Sequence, residues 1–295
     1  RSHAGRGRDQ LARVVTPEEA VDLACAALGA DPAGAVVLRA ADAVTVDLGD
    51  GRVARVVPDD AAAAARVIAV LPLLEAHVLQ PLDAPVVVDG ALVVAYPRVA
   101  PGLDDRRDLG MGGACLAGLH RVGARLVADG VDLPPFDPVA IATRWLDRAG
   151  HVLAAHQRAA LLDAVAGAWS DVTGPPTVLH GDAHPANWWV EADDWWVLID
   201  PEFMAIGPAV YDLAPLEVVE RRLGLGPSRF PSFLAGYESQ AGPVDRAALA
   251  AAIRVRELLA VAWLAARADG DSARALQVRA RLDDAVGQRG GSWLA

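Results

Sequence analysis

The segment at residues 178–214 constrains this chain more than any other part of it, and it reads VLHGDAHPANWWVEADDWWVLIDPEFMAIGPAVYDLA. The pattern predicts a strand, a polar loop, a hairpin and strand, and then a second, acidic loop. The first loop is His180 to Asn187, HGDAHPAN, and the second opens with Asp200-Pro201-Glu202. Two polar loops that flank one hairpin are expected to bring their side chains to the same place.

Asp182, Asn187 and Asp200 have the chemistry that phosphoryl transfer requires: a positioned hydroxyl group and a cation on the phosphates. Asp182 is suited to orient a hydroxyl group and accept its proton, while Asn187 and Asp200 offer the oxygen ligands that Mg²⁺ prefers. The spacing from Asp182 to Asn187 equals that of the kinase catalytic loop. The alternative is that these side chains only cap turns. That alternative explains one such loop, but not two in this order.

Composition limits the classes of partner. The 295 residues carry a net charge of −11, and all 27 basic residues are Arg. An acidic chain is poorly suited to nucleic acid or an anionic membrane, so we expect neither as a partner. The charge suits a cationic small molecule, although acidity that only maintains solubility remains an alternative.

Hydropathy and cysteine content indicate a folded protein of the cytoplasm. Hydrophobic residues make up 53% of the chain, and no apolar run reaches the roughly 18–20 residues that span a bilayer. The first ten residues have no apolar core, so we expect no signal peptide. Cys25 and Cys115 lie in apolar helical patterns, which indicates buried thiols in a reducing compartment and predicts a cytoplasmic location.

The order of elements predicts an α+β fold with two lobes. Residues 1–97 show short strands separated by turns at Gly49-Asp50-Gly51 and Asp89-Gly90, plus one or two helices, and predict a small antiparallel lobe. A connector at 97–102 contains the breaker Pro101-Gly102. Residues 98–295 are mostly helical, with predicted helices at 109–130, 138–149, 154–170, 210–223, 230–239, 245–268 and 271–286.

These motifs resemble those of the aminoglycoside phosphotransferase and choline kinase superfamily, relatives of protein kinases. HGDAHPAN, LIDPE, YDLA and LAGLH at 116–120 carry the resemblance, and the second loop looks most like that of streptomycin 6-kinase-type members. The resemblance implies a protein-kinase-like two-lobed fold and ATP- or GTP-dependent phosphorylation of a small-molecule hydroxyl group. In matching positions, Asp182 is implied to be catalytic and Asn187 and Asp200 to hold Mg²⁺.

The resemblance also implies supporting roles for four residues around the first loop. Asp212 is expected to hydrogen-bond the loop backbone from the start of a helix, and His180 to pack the loop. His184 is expected to brace the loop, with a phosphate contact as the alternative. His120 is expected to be a structural histidine.

The nucleotide lobe departs from the kinase pattern. The strand that should carry a phosphate-binding lysine reads Val53-Ala54-Arg55-Val56, so Arg55 is the candidate, unless it is only a surface residue. A Gly-rich loop is missing from the sequence. Adenine is expected against the connector, near Tyr96 to Val99, with Trp189 and Ile199 beneath the base. Cross-strand packing is the alternative for the tryptophans of this hairpin.

The acceptor is expected near Asp182, with Glu202 as a candidate contact to an amine. Glu217, Glu220 and the pair Tyr237-Glu238 are weaker candidates. Glu217 and Glu220 are an i, i+3 pair on a predicted helix, for which a solvated helix face is the more common explanation. The leading interpretation is an aminoglycoside-type antibiotic kinase. The alternatives are a metabolic kinase for a sugar or amino alcohol, and a catalytically inactive kinase-like protein that only binds ligand.

Overall fold

A computed structural model describes residues 15–40, 43–57, 61–74, 77–98, 109–190, 196–224, 229–268, 270–287 and 293. The chain divides into two compact units. Unit 1 comprises Arg1–Glu75 and Leu79–Ala100, and unit 2 comprises Ala76–Val78 and Pro101–Ala295. Within the described ranges, no helix has the length and apolar character needed to cross a membrane.

Unit 1 is built on a five-stranded antiparallel sheet with the strand order β1-β2-β3-β5-β4. Its strands are β1 (Val36–Ala40), β2 (Val44–Asp47), β3 (Arg52–Val57), β4 (Val86–Val88) and β5 (Ala91–Pro97). Helix α1 (Pro17–Leu28) packs on this sheet, and buried residues of α1 and of strands β2, β3 and β5 form one hydrophobic core. Helix α2 (Ala61–Val70) follows β3, and a 3₁₀ turn (Leu71–Leu74), which contains Pro72, ends it.

Strand β3 is the central strand of this sheet, and its position decides the environment of Arg55. Arg55 lies opposite Thr45 of β2 and Val94 of β5. Only 9% of its surface is exposed. The alternative that Arg55 is a surface residue is therefore wrong. A guanidinium group in this position must be held by polar or anionic partners, because an uncompensated buried charge is costly.

Unit 2 is mostly helical. Its helices are α3 (Gly110–Ala128), α4 (Pro138–Arg148), α5 (Ala155–Ser170), α6 (Ala214–Leu223), α7 (Phe230–Ala241), α8 (Arg246–Ala266) and α9 (Ser272–Val286). Asp137, Asp245 and Asp271 cap the N-termini of α4, α8 and α9 by accepting backbone N–H groups. Helices α3 and α7 approach closely because glycines line the contact: a Cβ atom at Gly113 would lie 1.9 Å from the backbone oxygen of Phe233.

Two small antiparallel sheets carry the polar loops of unit 2. Strand β6 (Pro176–Leu179) pairs with β9 (Ala205–Pro208), and β7 (Trp188–Val190) pairs with β8 (Trp196–Leu198). The first loop lies between β6 and β7, and the second lies between β8 and β9. The helix expected at 210–223 is divided into a 3₁₀ turn (Ala209–Leu213) and α6, because Pro215 suits the first turn of a helix but not its interior.

Candidate active site

The backbone of the first loop is fixed by Asp212, which is fully buried in the 3₁₀ turn before α6. Its Oδ2 accepts a hydrogen bond from the N–H group of His180 at 2.7 Å, and its Oδ1 accepts one from the N–H group of Gly181 at 2.8 Å. A buried carboxylate that accepts several hydrogen bonds is strongly held. The first loop therefore leaves β6 in a defined direction.

His120 and Tyr237 extend this network into the helices. His120 on α3 places Nε2 at 3.1 Å from Asp212 Oδ2 and Nδ1 at 2.9 Å from the hydroxyl group of Tyr237 on α7. The carboxylate needs a donor, so His120 carries its proton on Nε2 and the Tyr237 hydroxyl group donates to Nδ1. Burial raises the pKa of Tyr237, which keeps this hydroxyl group a donor. The network anchors the loop to α3 and α7.

His180 connects the first loop to the start of the second. Its Nδ1 accepts the N–H group of Asp182 at 3.3 Å, and its Nε2 lies 2.8 Å from the backbone oxygen of Ile199. These partners make Nδ1 the acceptor and Nε2 the donor of the ring. The side chain is fully buried. Its position couples the backbone of Asp182 to the residue that precedes Asp200.

Asn187 ends the first loop and is 2% exposed. Its Nδ2 donates to the backbone oxygen of Asp182 at 2.9 Å, and its backbone oxygen accepts the N–H group of Ile199 at 2.9 Å. With the amide nitrogen committed to the loop, the side-chain oxygen Oδ1 is the atom suited to a cation. The same contacts set Asn187 beside the second loop.

Asp200 opens the second loop with φ 60° and ψ 60°, the left-handed region that a residue with a side chain seldom adopts. A strained backbone of this kind often occurs at a functional site. An amide oxygen from Asn187 and a carboxylate from Asp200 fit Mg²⁺, which takes oxygen ligands and completes its shell with phosphates and water. Among the described residues, no cluster of three or more His, Cys, Asp or Glu side chains could by itself bind a metal ion.

Asp182 lies in the first loop with its side chain 20% exposed. Its Oδ1 is 2.6 Å from Nη2 of Arg256 on α8, and its Oδ2 is 3.5 Å from Nε2 of His184. Burial has the largest single effect and raises the pKa of Asp182, but the neighbouring groups, Arg256 first among them, together outweigh it, and the pKa lies below its ordinary value. Asp182 is therefore ionised at neutral pH, as a proton acceptor must be.

His184 braces the loop to which it belongs. Besides its approach to Asp182, its Nδ1 accepts the N–H group of Ala186 at 3.1 Å, which caps the 3₁₀ turn Pro185–Asn187. This contact agrees with the expected bracing role. A phosphate contact by His184 stays a prediction.

Arg256 is the residue of the site that the sequence did not reveal. It lies far along the chain from the motif, within the apolar pattern of α8. Its neighbours Val255, Leu258 and Leu259 are buried. The available signal was the group of charges Arg254, Arg256 and Glu257 within a mostly apolar helix, since charges in such a helix need partners.

Several acidic residues considered for the acceptor serve the fold instead. Glu220 is 6% exposed and accepts the N–H groups of Arg229 and Phe230 at 2.7 and 2.9 Å, so it caps α7 and does not lie on a solvated face. Glu238 accepts the N–H group of Val244 at 2.8 Å. Tyr237 belongs to the His120 network. Glu202 is exposed and Glu217 is half-buried, with a pKa raised by burial.

The aromatic candidates on the nucleotide side separate into two groups. Trp188 and Trp196 are buried and make an edge-on contact with centroids 6.1 Å apart, so cross-strand packing holds for these two. Trp189 and Ile199 are half-buried, and Tyr96 is 8% exposed on β5. Val99 and Trp195 lie outside the described residues. The roles of Tyr96, Trp189 and Ile199 stay predictions.

Comparison with solved structures gives the fold. An amicoumacin kinase solved with AMP-PNP and Ca²⁺ has a TM-score of 0.70 and 13% identity, over 88% of this chain and 90% of that chain. A microcompartment-associated aminopropanol kinase has a TM-score of 0.67 and 19% identity, over 89% and 93%. An APH(2″) enzyme in complex with GDP and kanamycin has a TM-score of 0.62 and 15% identity, over 91% and 98%. The expected α+β, kinase-like two-lobed fold is confirmed.

Sequence comparison leads to the family. A search of curated proteins found no significant match. The sequence profile of the phosphotransferase enzyme family matches residues 37–252, which is more than half of the chain and includes both polar loops. The chain belongs to the phosphotransferase enzyme family.

Proposed function

We propose that the protein transfers the terminal phosphoryl group of ATP or GTP to a hydroxyl group of a small cationic molecule. The observation that carries this proposal is the first loop, in which Asp182 is ionised beside Arg256 while Asn187 is joined to the backbone of both loops. Two solved proteins with this fold support a nucleotide co-substrate, since the amicoumacin kinase holds AMP-PNP and the APH(2″) enzyme holds GDP.

In this proposal Asp182 orients the acceptor hydroxyl group and takes its proton as the oxygen attacks the phosphorus atom. Asn187 and Asp200 hold Mg²⁺, which neutralises charge on the phosphate oxygens when bound. Arg55 binds a phosphate group from β3, and Tyr96, Trp189 and Ile199 contact the base. Glu202, an exposed carboxylate two residues after Asp200, is the proposed contact to an amine of the acceptor.

The acceptor class has two candidates that share an amine and a hydroxyl group. Kanamycin, the aminoglycoside bound to the APH(2″) enzyme, and aminopropanol, the amino alcohol for which the other kinase is named, are both of this kind. A net charge of −11 favours cationic acceptors in either case. We place an antibiotic of the aminoglycoside type first and a metabolic amino alcohol second.

The test is a phosphorylation assay with Mg-ATP and Mg-GTP against panels of aminoglycosides, amino alcohols and sugars, with product detected by mass spectrometry. Asp182→Ala should lower kcat by about 10²- to 10⁴-fold, the usual contribution of a general base. Asp200→Asn should abolish Mg²⁺-dependent nucleotide binding. Asp163→Asn, an exposed change on α5, is the matched control. Full activity of Asp182→Ala would refute the proposal.

The same measurements distinguish an active phosphotransferase from a kinase-like protein that only binds its ligand. It would bind Mg-nucleotide or acceptor without forming phosphorylated product, and Asp182→Ala would leave binding unchanged. If sugars were phosphorylated as efficiently as amine-bearing acceptors, the preference for a cationic acceptor would be refuted, while the proposed phosphotransferase activity would stand.

A further inference from the structure

Arg256 contacts the candidate catalytic residue although it belongs to neither polar loop. Its Nη2 atom is 2.6 Å from Oδ1 of Asp182. The two side chains are 17% and 20% exposed, so the pair borders solvent but is largely enclosed. An ion pair in such surroundings is screened less than a surface pair, and its geometry is better defined.

The helix backbone around Arg256 is itself held in place. The next residue on α8, Glu257, is 3% exposed and accepts a hydrogen bond from Nε–H of Arg222 at 2.7 Å. On the other side of Arg256, Val255 is fully buried. The backbone on both sides of Arg256 is therefore fixed. A side chain that leaves a fixed backbone can hold the carboxylate that it contacts.

The two oxygens of Asp182 are not equivalent in this arrangement. Oδ1 is buried, and its contact with Arg256 is an ion pair that lacks hydrogen-bond geometry, whereas Oδ2 lies at the longer distance of 3.5 Å from His184 Nε2. The backbone of Asp182 is fixed as well, because its N–H group binds His180 and its oxygen binds Asn187. The remaining freedom is rotation of the carboxylate, and the contact with Arg256 limits it.

We propose that Arg256 is a positioning residue that holds Oδ1 of Asp182, so that Oδ2 is the oxygen presented to the acceptor hydroxyl group. This inference rests on the proposed function for the role of Asp182 as the base, but the contact and its effect on the carboxylate do not depend on it. In the reaction, Oδ2 takes the proton of the hydroxyl group while the oxygen of that group forms the bond to phosphorus. The nucleoside diphosphate leaves with the electrons of the broken P–O bond.

The variants that test this role are Arg256→Gln and Arg256→Lys. Glutamine keeps much of the side-chain length but loses the charge and the planar guanidinium group. Lysine keeps the charge but carries it on one ammonium nitrogen. Arg246→Gln is the matched control, because Arg246 is on the same helix and pairs with Glu238 at 2.9 Å with its own side chain 58% exposed. Circular dichroism and thermal unfolding establish that each variant is folded.

The first readout is the position of the carboxylate, from crystal structures of the wild type, Arg256→Gln and Arg256→Lys. We expect the Asp182 carboxylate to be rotated or disordered in Arg256→Gln and to keep its wild-type position in Arg256→Lys. An unchanged, well-ordered carboxylate in Arg256→Gln would overturn the inference. This readout needs neither nucleotide nor acceptor.

The second readout is the hydrolysis of Mg-ATP and Mg-GTP, with water as the acceptor. We expect kcat to fall by about 10²-fold in Arg256→Gln, the scale of a misplaced reacting group, with KM for the nucleotide changed less than about threefold. Arg256→Lys should recover part of kcat. An equal fall of kcat in Arg246→Gln, or a change in KM alone, would count against positioning. If the wild type neither hydrolyses nucleotide nor phosphorylates any acceptor, while the carboxylate moves in Arg256→Gln, then the proposed function fails and the positioning role stands.

Discussion

His180 and Ile199 join the two polar loops, since Nε2 of His180 lies 2.8 Å from the backbone oxygen of Ile199. His180→Ala would leave that oxygen and the N–H group of Asp182 without this partner. Each buried group left unsatisfied costs about 1–3 kcal/mol. We expect a lower free energy of unfolding and a larger loss of kcat than of nucleotide affinity, because Asp182 loses its backbone anchor.

Urea unfolding and steady-state kinetics measure these two effects. His156→Ala, which removes an exposed imidazole group from α5, is the matched control and should behave like the wild type. If His180→Ala retained both stability and kcat, the connection between the loops would not matter to either.

Asp212→Asn should be more damaging than a change of equal size on the surface. The buried carboxylate accepts from the N–H groups of His180 and Gly181 and from His120. An amide supplies one oxygen and turns an NH₂ group towards a donor, so at least one donor loses its acceptor. We expect a loss of at least about 1–3 kcal/mol in the free energy of unfolding.

Denaturant unfolding of Asp212→Asn against Asp163→Asn, the exposed control on α5, measures this loss. Hydrogen exchange should also show faster exchange at the amides of 180 and 181. Protection at those two amides equal to that of the wild type would contradict the assigned role.

Tyr237→Phe tests the outer end of the same network. The change removes the hydroxyl group 2.9 Å from Nδ1 of His120 and keeps the ring that packs against the imidazole. We expect a loss of about 1 kcal/mol, the usual net value of one hydrogen bond. A double-mutant cycle with His120→Gln should give a coupling energy clearly different from zero. Strict additivity of the two changes would mean that the contact contributes nothing.

The sequence predicted most elements of unit 2, although not β9 and not the division of the helix expected at 210–223. It also indicated a candidate triad, but not what holds the three residues. Asp182, Asn187 and Asp200 could be proposed as candidates because the motif is local and its spacing carries the chemistry. Arg256 could not, because its contact with Asp182 depends on how α8 packs, and no local pattern encodes that packing. For Glu220 the sequence indicated the wrong environment. Glu217 and Glu220 are an i, i+3 pair, which indicates a solvated helix face. Glu220 is instead buried, because the backbone N–H groups at the N-terminus of α7 need an acceptor there.

The sequence pattern predicted where the strands lie, but it did not predict which residues of a strand are buried. Arg55 was open to interpretation as a surface residue. The central position of β3 places it at 9% exposure, which only the strand order reveals. Trp189 and Trp188 are adjacent and chemically identical, and the side of the hairpin on which each lies decides that Trp188 is core and Trp189 is half-buried.

Gly181→Ala should disrupt the first loop for two separable reasons. The residue has φ +82°, and an added Cβ atom would lie 2.3 Å from the backbone oxygen of Phe203 in the second loop. Gly130 has φ +80° with no atom within 4 Å of an added Cβ. Gly130→Ala therefore measures the backbone strain alone, about 1–2 kcal/mol. The excess destabilisation of Gly181→Ala in urea unfolding then reports the clash, and equal losses in the two variants would contradict it.

Buried ion pairs of Arg222 connect the C-terminal elements of unit 2. Its side chain is 2% exposed, and it donates from Nε to Glu257 and from Nη1 to Asp284, each at 2.7 Å. Trp293 covers the guanidinium group with its ring 5.0 Å away and donates from Nε1 to Asp284 at 2.9 Å. Arginine at this position therefore joins α6, α8, α9 and residue 293.

Arg222→Leu should lower the free energy of unfolding by about 3–5 kcal/mol, because removing one partner leaves buried carboxylates uncompensated. Arg221 still pairs with Glu257 after the change, so we expect the lower end of that range. Arg246→Leu, which removes an exposed arginine from the ion pair with Glu238, should change stability little. Urea unfolding followed by tryptophan fluorescence measures both. Equal stability of the two variants would show that the cost of desolvating Arg222 cancels its attraction to the carboxylates, and the network would then define where residue 293 lies without stabilising the fold.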